Sequence, residues 1–387
     1  MMLFSNGFRP FFLLGSIYAG LAVLVWLPIF MGKLTLATAF VPRDWHVHEM
    51  LYGYLPAVIT GFLFTAIPNW TGRLPIQGKP LLGLVVLWFA GRVCVSLSSE
   101  TGWLTVMLVD ASFLLLVGAA AAREIVAGRK WGNLHVVVLV LLLLAGNLAF
   151  HLESHFYGTA DASIRIGIAA VVMLISLIGG RIVPSFTRNW LARENPGRLP
   201  TPFTRFDTLV VAISALILVL WVVWPSGAAI GGLLALAGCL HFFRLGRWAG
   251  DRTWRERLVL ILHVGYAFVP IGFLLTAASA FGVFPASAGI HAWMVGAGGV
   301  MTLSVMTRAT LGHTGRKLTA SVSTQAIYLA VIVSALARIC AVTWPVYSIP
   351  LLHLAAFAWA AAFVGFVISF GPVSISSDKR TKQESTA

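Results

Sequence analysis

Charge is what this sequence has least of. Only 10% of its 387 residues are Asp, Glu, Lys or Arg, whereas 59% are hydrophobic and the mean hydropathy is +0.89. So few charges cannot cover the aqueous surface of the two or three soluble domains that the length would suggest. A lipid-facing surface needs none, so soluble folds are excluded and the lipid bilayer is the expected surrounding. Cysteine is scarce too. Cys94, Cys239 and Cys340 lie in or beside apolar runs, with no CxxC pair and no C-x-x-C-H sequence, which excludes covalent haem attachment. Acidic residues number 13 against 27 basic ones, giving a net charge of +14. The basic residues sit in short loops and form no continuous stripe, a pattern of membrane orientation with no nucleic-acid partner. The first apolar run follows one early arginine and lacks a small-residue cleavage site, so it reads as a spanning helix and not a removable signal peptide.

Long apolar runs are what the chain has in abundance. A hydrocarbon core of about 30 Å needs roughly 20 residues of helix, within which every backbone polar group finds a partner. Twelve such helices are predicted, over residues 11–30, 48–67, 81–97, 103–126, 135–151, 164–183, 208–224, 228–243, 258–280, 288–307, 322–342 and 346–370. The expected fold is an all-α polytopic transmembrane bundle, one domain over 1–372, with a polar, disordered tail over 373–387. Of the loop lysines and arginines, 21 fall on the side of both termini and three (Lys33, Arg43 and Arg165) on the other. Because the cytoplasmic side carries the excess, both termini are expected in the cytoplasm.

A weak internal echo runs through the chain. Residues 48–73 (HEMLYGYLPAVITGFLFTAIPNWTGR) and 291–316 (HAWMVGAGGVMTLSVMTRATLGHTGR) have equal length, begin with His, end in Thr-Gly-Arg and agree at six positions. Pro184, Thr187, Arg188, Asn189 and Trp190, at the end of the sixth helix, resemble Pro68, Asn69 and Trp70 at the end of the second. The second, sixth and tenth helices are therefore expected to be equivalents. That gives three four-helix repeats, whereas a transporter of two six-helix halves would pair the second with the eighth.

Six of the ten histidines fall at or near the expected outer helix ends: His46, His48, His151, His155, His291 and His353. Ionisable groups in spanning segments are costly and usually face the bundle interior, and imidazole ligates both haem and copper. His151 and His155, four apart, share a face if their helix continues. His46 and His48 share one only if the chain is extended at Trp45; otherwise they serve two centres. Hydrogen bonding to headgroups is the competing reading for each histidine singly. His48 and His291 stand at matching places in the echo, as opposed axial ligands of one haem would. His263 is a candidate metal ligand, with a bond to a neighbouring helix the favoured reading; His313 is expected in a loop, and His135 and His241 at the cytoplasmic interface. Glu49 and Glu153 are candidates for proton delivery or metal ligation, Glu49 equally for a helix N-terminal carboxylate. Arg181 and Arg308 are candidates to pair with haem propionates or another anion, as are Arg92 and Arg338, with snorkelling favoured for Arg92 and Arg308. Gly296, Gly298 and Gly299 permit close approach of a flat macrocycle or of another helix.

Several stretches together have a recognisable character: Gly7-Phe8-Arg9-Pro10-Phe11-Phe12, Trp45-His46-Val47-His48-Glu49-Met50, Pro68-Asn69-Trp70-Thr71-Gly72, Gly180-Arg181-Ile182-Val183-Pro184, His263-Val264-Gly265-Tyr266, and the run from Met306 to Arg316 that ends LGHTGR. The chain resembles the NnrS family from its first residues to about the eleventh helix. That resemblance implies a bacterial inner-membrane protein holding haem b and copper and acting in denitrification and the nitrosative-stress response, with nitric oxide as its ligand. Twelve helices with a period of four are also similar in architecture to the catalytic subunits of haem-copper oxidases and nitric oxide reductases. The likeness departs in detail, since the tenth helix here has one His291 where those enzymes carry His-x-His, and the seventh lacks their histidine pair.

The leading expectation is thus a membrane haem and copper protein that binds nitric oxide and reduces or detoxifies it, taking electrons from an unidentified donor. His48 and His291 would hold the haem, and His46, His151, His155 and His353 a second centre. A permease lined by the same residues, or a haem sensor without redox catalysis, is the alternative.

Overall fold

A computed structural model describes residues 2–376, and among the described residues there is helix but no strand. Twelve helices are long and apolar enough to cross a membrane: α1 (Phe8–Phe30), α2 (Pro42–Thr71), α3 (Lys79–Ser96), α4 (Trp103–Ala127), α5 (Trp131–Tyr157), α6 (Ala162–Glu194), α7 (Arg205–Val223), α8 (Ala228–Gly246), α9 (Arg257–Ala280), α10 (Ser287–His313), α11 (Val322–Thr343) and α12 (Pro345–Ile375). Each overlaps one of the twelve expected, and the chain is a multi-pass membrane protein.

The boundaries move outward where it matters. Pro42 opens α2 at a position whose missing N–H costs nothing, so His46 and His48 are already helical. α5 runs on past His151 to Tyr157, and a left-handed Gly158 stops it. α10 reaches His313, expected in a loop, and α12 reaches Ile375. Most of the expected tail, residues 377–387, lies outside the described residues.

The described residues group into two compact units. One comprises residues 2–170, 306–317 and 363–376, and the other residues 171–305 and 318–362. Helices differ sharply in how much they bury. In α2, 78% of the most apolar window is covered, against 39% in α3 and 33% in α7, so α2 lies inside the protein while α3 and α7 give most of their surface to lipid. α6 and α10 are also mostly covered.

These three buried helices share an irregularity. Each contains a π-helical segment: Glu49–Tyr54 in α2, Ile175–Gly179 in α6 and Ala292–Gly299 in α10. A π turn inserts one residue, widens the helix and re-aims side chains. The segment begins directly after His48 in α2 and directly after His291 in α10, as the sequence echo requires. One such helix in every four is the spacing expected of four-helix repeats.

In the first unit, α1 and α2 approach through small residues. A side chain on Gly61 would meet the Phe12 ring at 2.7 Å and Phe11 Cβ at 3.2 Å, and both rings are fully buried. Arg9, buried beside them, donates from Nη1 to the carbonyls of Ser374 (2.8 Å) and Ser376 (3.0 Å). That contact satisfies orphan carbonyls at the end of α12 and binds the beginning of the chain to its last helix. Gly61→Leu is expected to cost about 1–3 kcal/mol through overpacking. The loss is read as a lower midpoint for retention of monodisperse protein on heating in detergent; an unchanged midpoint would refute the tight α1–α2 contact.

Candidate metal centre

Four helices of the first unit bring polar side chains to one buried place. His48 and Glu49 come from α2, Arg92 from α3, Asp110 from α4, and Asn147 and His151 from α5; none is more than 4% exposed. His48 and Glu49 point there because α2 is helical from Pro42, and the π turn that follows lets Glu49 and Tyr52 both face the interior. Gly91 admits the cluster, since a side chain there would strike Asp110 Oδ1 at 2.9 Å.

The arrangement is a continuous network. Arg92 donates from Nη1 to Glu49 Oε1 at 2.8 Å and from Nη2 to Asp110 Oδ1. Asp110 Oδ2 accepts from Asn147 Nδ2 at 2.8 Å and lies 3.2 Å from the Nε2 atoms of both His48 and His151. His48 Nδ1 is 3.0 Å from Glu49 Oε1. Two carboxylates and one guanidinium leave one excess negative charge if the imidazoles are neutral. In a low-dielectric interior such an excess is costly, and a proton or a metal cation would neutralise it. Two atoms are orphaned as well: Glu49 Oε2 and Arg92 Nε are buried without a hydrogen-bond partner.

Ligand atoms of His48, Asp110 and His151 all lie within 4.8 Å of one another. Two imidazoles and a carboxylate suit a borderline first-row cation such as copper, so the donor set fits a metal ion. Asn147 and Glu49 touch the ligands from outside, the role played by groups that orient metal-bound imidazoles. A cleft of about 180 Å³ adjoins the group, bordered by Phe40, Ser98, Trp103, His151, Ser154 and His155.

The other expected residues are placed as follows. His46, two residues from His48 and so about 200° around the helix, stacks on Trp26 at 4.2 Å. His155 shares the face of His151 on the continued α5, is exposed, and stacks on Trp103 at 4.3 Å. Glu153 accepts from Ala162 N, Ser163 N (both 2.9 Å) and Ser163 Oγ (2.5 Å), fixing the start of α6. Asp44, buried, fixes the same corner through Ala160 N at 2.8 Å, and Tyr52 donates to the Ser163 carbonyl at 2.8 Å.

His263, in the second unit, bonds Thr187 of α6 through Nε2 at 2.8 Å, the neighbour-helix contact expected of it. His291 and His353 each place Nδ1 against the carbonyl one turn earlier, Ser287 at 2.5 Å and Ile349 at 2.9 Å. A carbonyl only accepts, so each ring donates from Nδ1, and in a neutral ring Nε2 is then the nitrogen with the lone pair. A side chain on Gly296 would strike the Phe268 ring and one on Gly299 the Trp359 ring at 2.6 Å. At Gly296 and Gly299 the close neighbour is thus an aromatic ring, as the helix-packing reading of these glycines expects. Arg181 is exposed and Arg308 part-buried.

Two expectations are overturned. Arg92 does not snorkel but lies buried between two carboxylates. His241 is not at an interface: it is fully buried in the second unit, bonded to Ser214 Oγ and the Tyr266 hydroxyl, both at 3.0 Å. Beside it Arg244, also fully buried, donates to Asp207 (3.0 Å), Tyr266 (2.8 Å) and the Ser176 carbonyl (2.9 Å). Sequence reasoning missed Asp110 and Asn147, although a carboxylate in the middle of an apolar run is itself a signal.

Comparison with known proteins decides the family. The model of the NnrS family, described as NnrS protein, matches residues 2–377, essentially the whole chain. The chain belongs to the NnrS family. A search of curated proteins finds no match to it. Membership makes this a membrane protein related to nitric oxide, and the buried His48, Asp110 and His151 are a group of this NnrS chain able to hold a metal.

Removing Arg92 while keeping its carboxylates strands two buried anions, so Arg92→Ala is expected to cost about 3–5 kcal/mol. Adding Asp110→Asn and Glu49→Gln should recover much of that loss, whereas Arg255→Ala, on an exposed position, should change stability by no more than about 0.5 kcal/mol. Thermal midpoints in detergent check the series; equal effects at Arg92 and Arg255 would contradict the network.

Proposed function

We propose that this protein is a haem and copper membrane protein that binds nitric oxide and reduces or detoxifies it, with copper held by His48 Nε2, Asp110 and His151 Nε2. The observation that carries the reading is the convergence of these three buried groups, whose ligand atoms all lie within 4.8 Å of one another. Copper and haem, when bound, supply one-electron chemistry that no side chain offers.

The protein's own residues have distinct parts. Arg92 holds Glu49 and Asp110 in place and limits their repulsion. Asn147 fixes Asp110 toward the imidazoles. Glu49, at 3.0 Å from His48 Nδ1, orients that ring and is the carboxylate placed to hold a proton beside it. Nitric oxide is neutral and partitions into lipid, so a centre between helices needs no aqueous channel for it. Reduction would also consume protons and electrons, the latter from a donor outside this chain.

Haem is assigned on the family resemblance. His291, its ring oriented by the contact of Nδ1 with the Ser287 carbonyl, is the residue that would hold the haem. His48 has both ring nitrogens engaged in the polar network, which favours the metal over an opposed haem face. The lysine and arginine count supports an inner-membrane orientation with both termini in the cytoplasm.

Purified protein from haem- and copper-replete cells should show a Soret band and bound copper, and consume nitric oxide anaerobically when given an electron donor. His151→Ala and Asp110→Asn should lose copper while His353→Ala keeps it, and His291→Ala should lose haem absorbance. Full copper occupancy in His151→Ala would refute the assignment, and a colourless wild-type protein would favour a permease.

A further inference from the structure

Resting on that reading of the buried triad, the cleft beside it points to how the metal gets there. A hydrated cation cannot cross an apolar shell without shedding water, and the loss is prohibitive unless protein ligands replace the water stepwise. The cleft supplies such ligands in a row. His155 stands at its exposed part, and His151 lines it one turn away on the same face of α5, about 6 Å along the axis. His151 belongs to both places, since its Nε2 faces Asp110 Oδ2 while its ring also borders the cleft.

The remaining lining suits the same task. Ser98 and Ser154 are among the residues lining the cleft, and Ser98 Oγ is held by Thr38 Oγ1 (3.1 Å) and Ala39 N (2.8 Å). The His155 ring is not loose, because it stacks on Trp103 with only 13° between the planes. Stacking of this kind holds an imidazole in one orientation while leaving its edge nitrogens open to a ligand. A purely structural stack would not require the second imidazole to lie in the same cleft.

We propose that His155 and His151 are a relay by which a first-row transition-metal cation passes from the aqueous boundary into the buried triad. The ion exchanges water for the His155 imidazole, then that imidazole for His151, and finally gains Asp110 and His48; no electron is transferred and no bond other than those to the metal changes. His155 therefore governs the rate of loading and not the final occupancy, which the triad sets.

The test uses the full-length apo-protein in detergent, with copper ion delivered from a coloured chelator whose absorbance reports transfer. Wild type is expected to take up one copper. His155→Ala should reach the same stoichiometry several-fold more slowly, and Ala39→Trp, which adds bulk at another residue lining the cleft while retaining His155, should slow loading similarly. Loading of both variants at the wild-type rate would overturn the relay while leaving the triad intact. Failure of wild type to bind copper at all would overturn the metal centre, and the relay with it. Should His155→Ala fold poorly, Ala39→Trp alone carries the comparison, with a monodisperse elution profile as its control.

Discussion

A guanidinium shared between two carboxylates in a low-dielectric interior is the contact on which the first unit turns. Arg92 reaches from α3 to Glu49 of α2 and Asp110 of α4, so three helices are bound by one side chain. Buried ion pairs contribute little net stability when measured against apolar packing, because desolvation consumes most of the Coulombic gain. Their persistence in a lipid-embedded protein therefore calls for another reason. Here the pairing leaves Asp110 with one oxygen turned away from Arg92, toward two imidazoles and the Asn147 amide. The ion pair thus fixes the direction of a ligand set as well as a helix contact.

Most of the architecture was legible because lipid imposes severe rules. Twelve apolar runs gave twelve helices, and a short echo between residues 48–73 and 291–316 located two of the three helices that carry π turns. Hydropathy cannot say where a helix begins once the chain leaves the core, so the capping action of Pro42 and the continuation of α5 to Tyr157 were missed or left open. Both decide which imidazoles can meet: a helical Trp45 separates His46 from His48, and a continued α5 aligns His155 with His151.

The site was only half legible, for a different reason. Histidine attracts attention as a ligand, so His48 and His151 stood out at once. Asp110, Asn147 and Arg92 lie in the middle of apolar runs, where period and composition say nothing about what faces them across the bundle. Arg92 carries a long stem that would reach an interface equally well, and only its neighbours Glu49 and Asp110 show that it does not. The same blindness applies to His241 and Arg244, whose partners Ser214, Tyr266, Asp207 and Ser176 come from three other helices.

The widened turns of α2, α6 and α10 carry a consequence for how mutations in this fold will behave. A π turn takes up one extra residue within about one turn of helix, so the two halves keep the rotational phase that an uninterrupted α-helix would give them. Deleting one amino acid from Glu49–Tyr54 would restore ordinary winding and leave the residues beyond facing much as they do now, with only the side chains of the turn itself re-aimed. Length is thus more forgiving in these segments than elsewhere in a span, where losing one residue from regular α-helix rotates everything beyond it by about 100°.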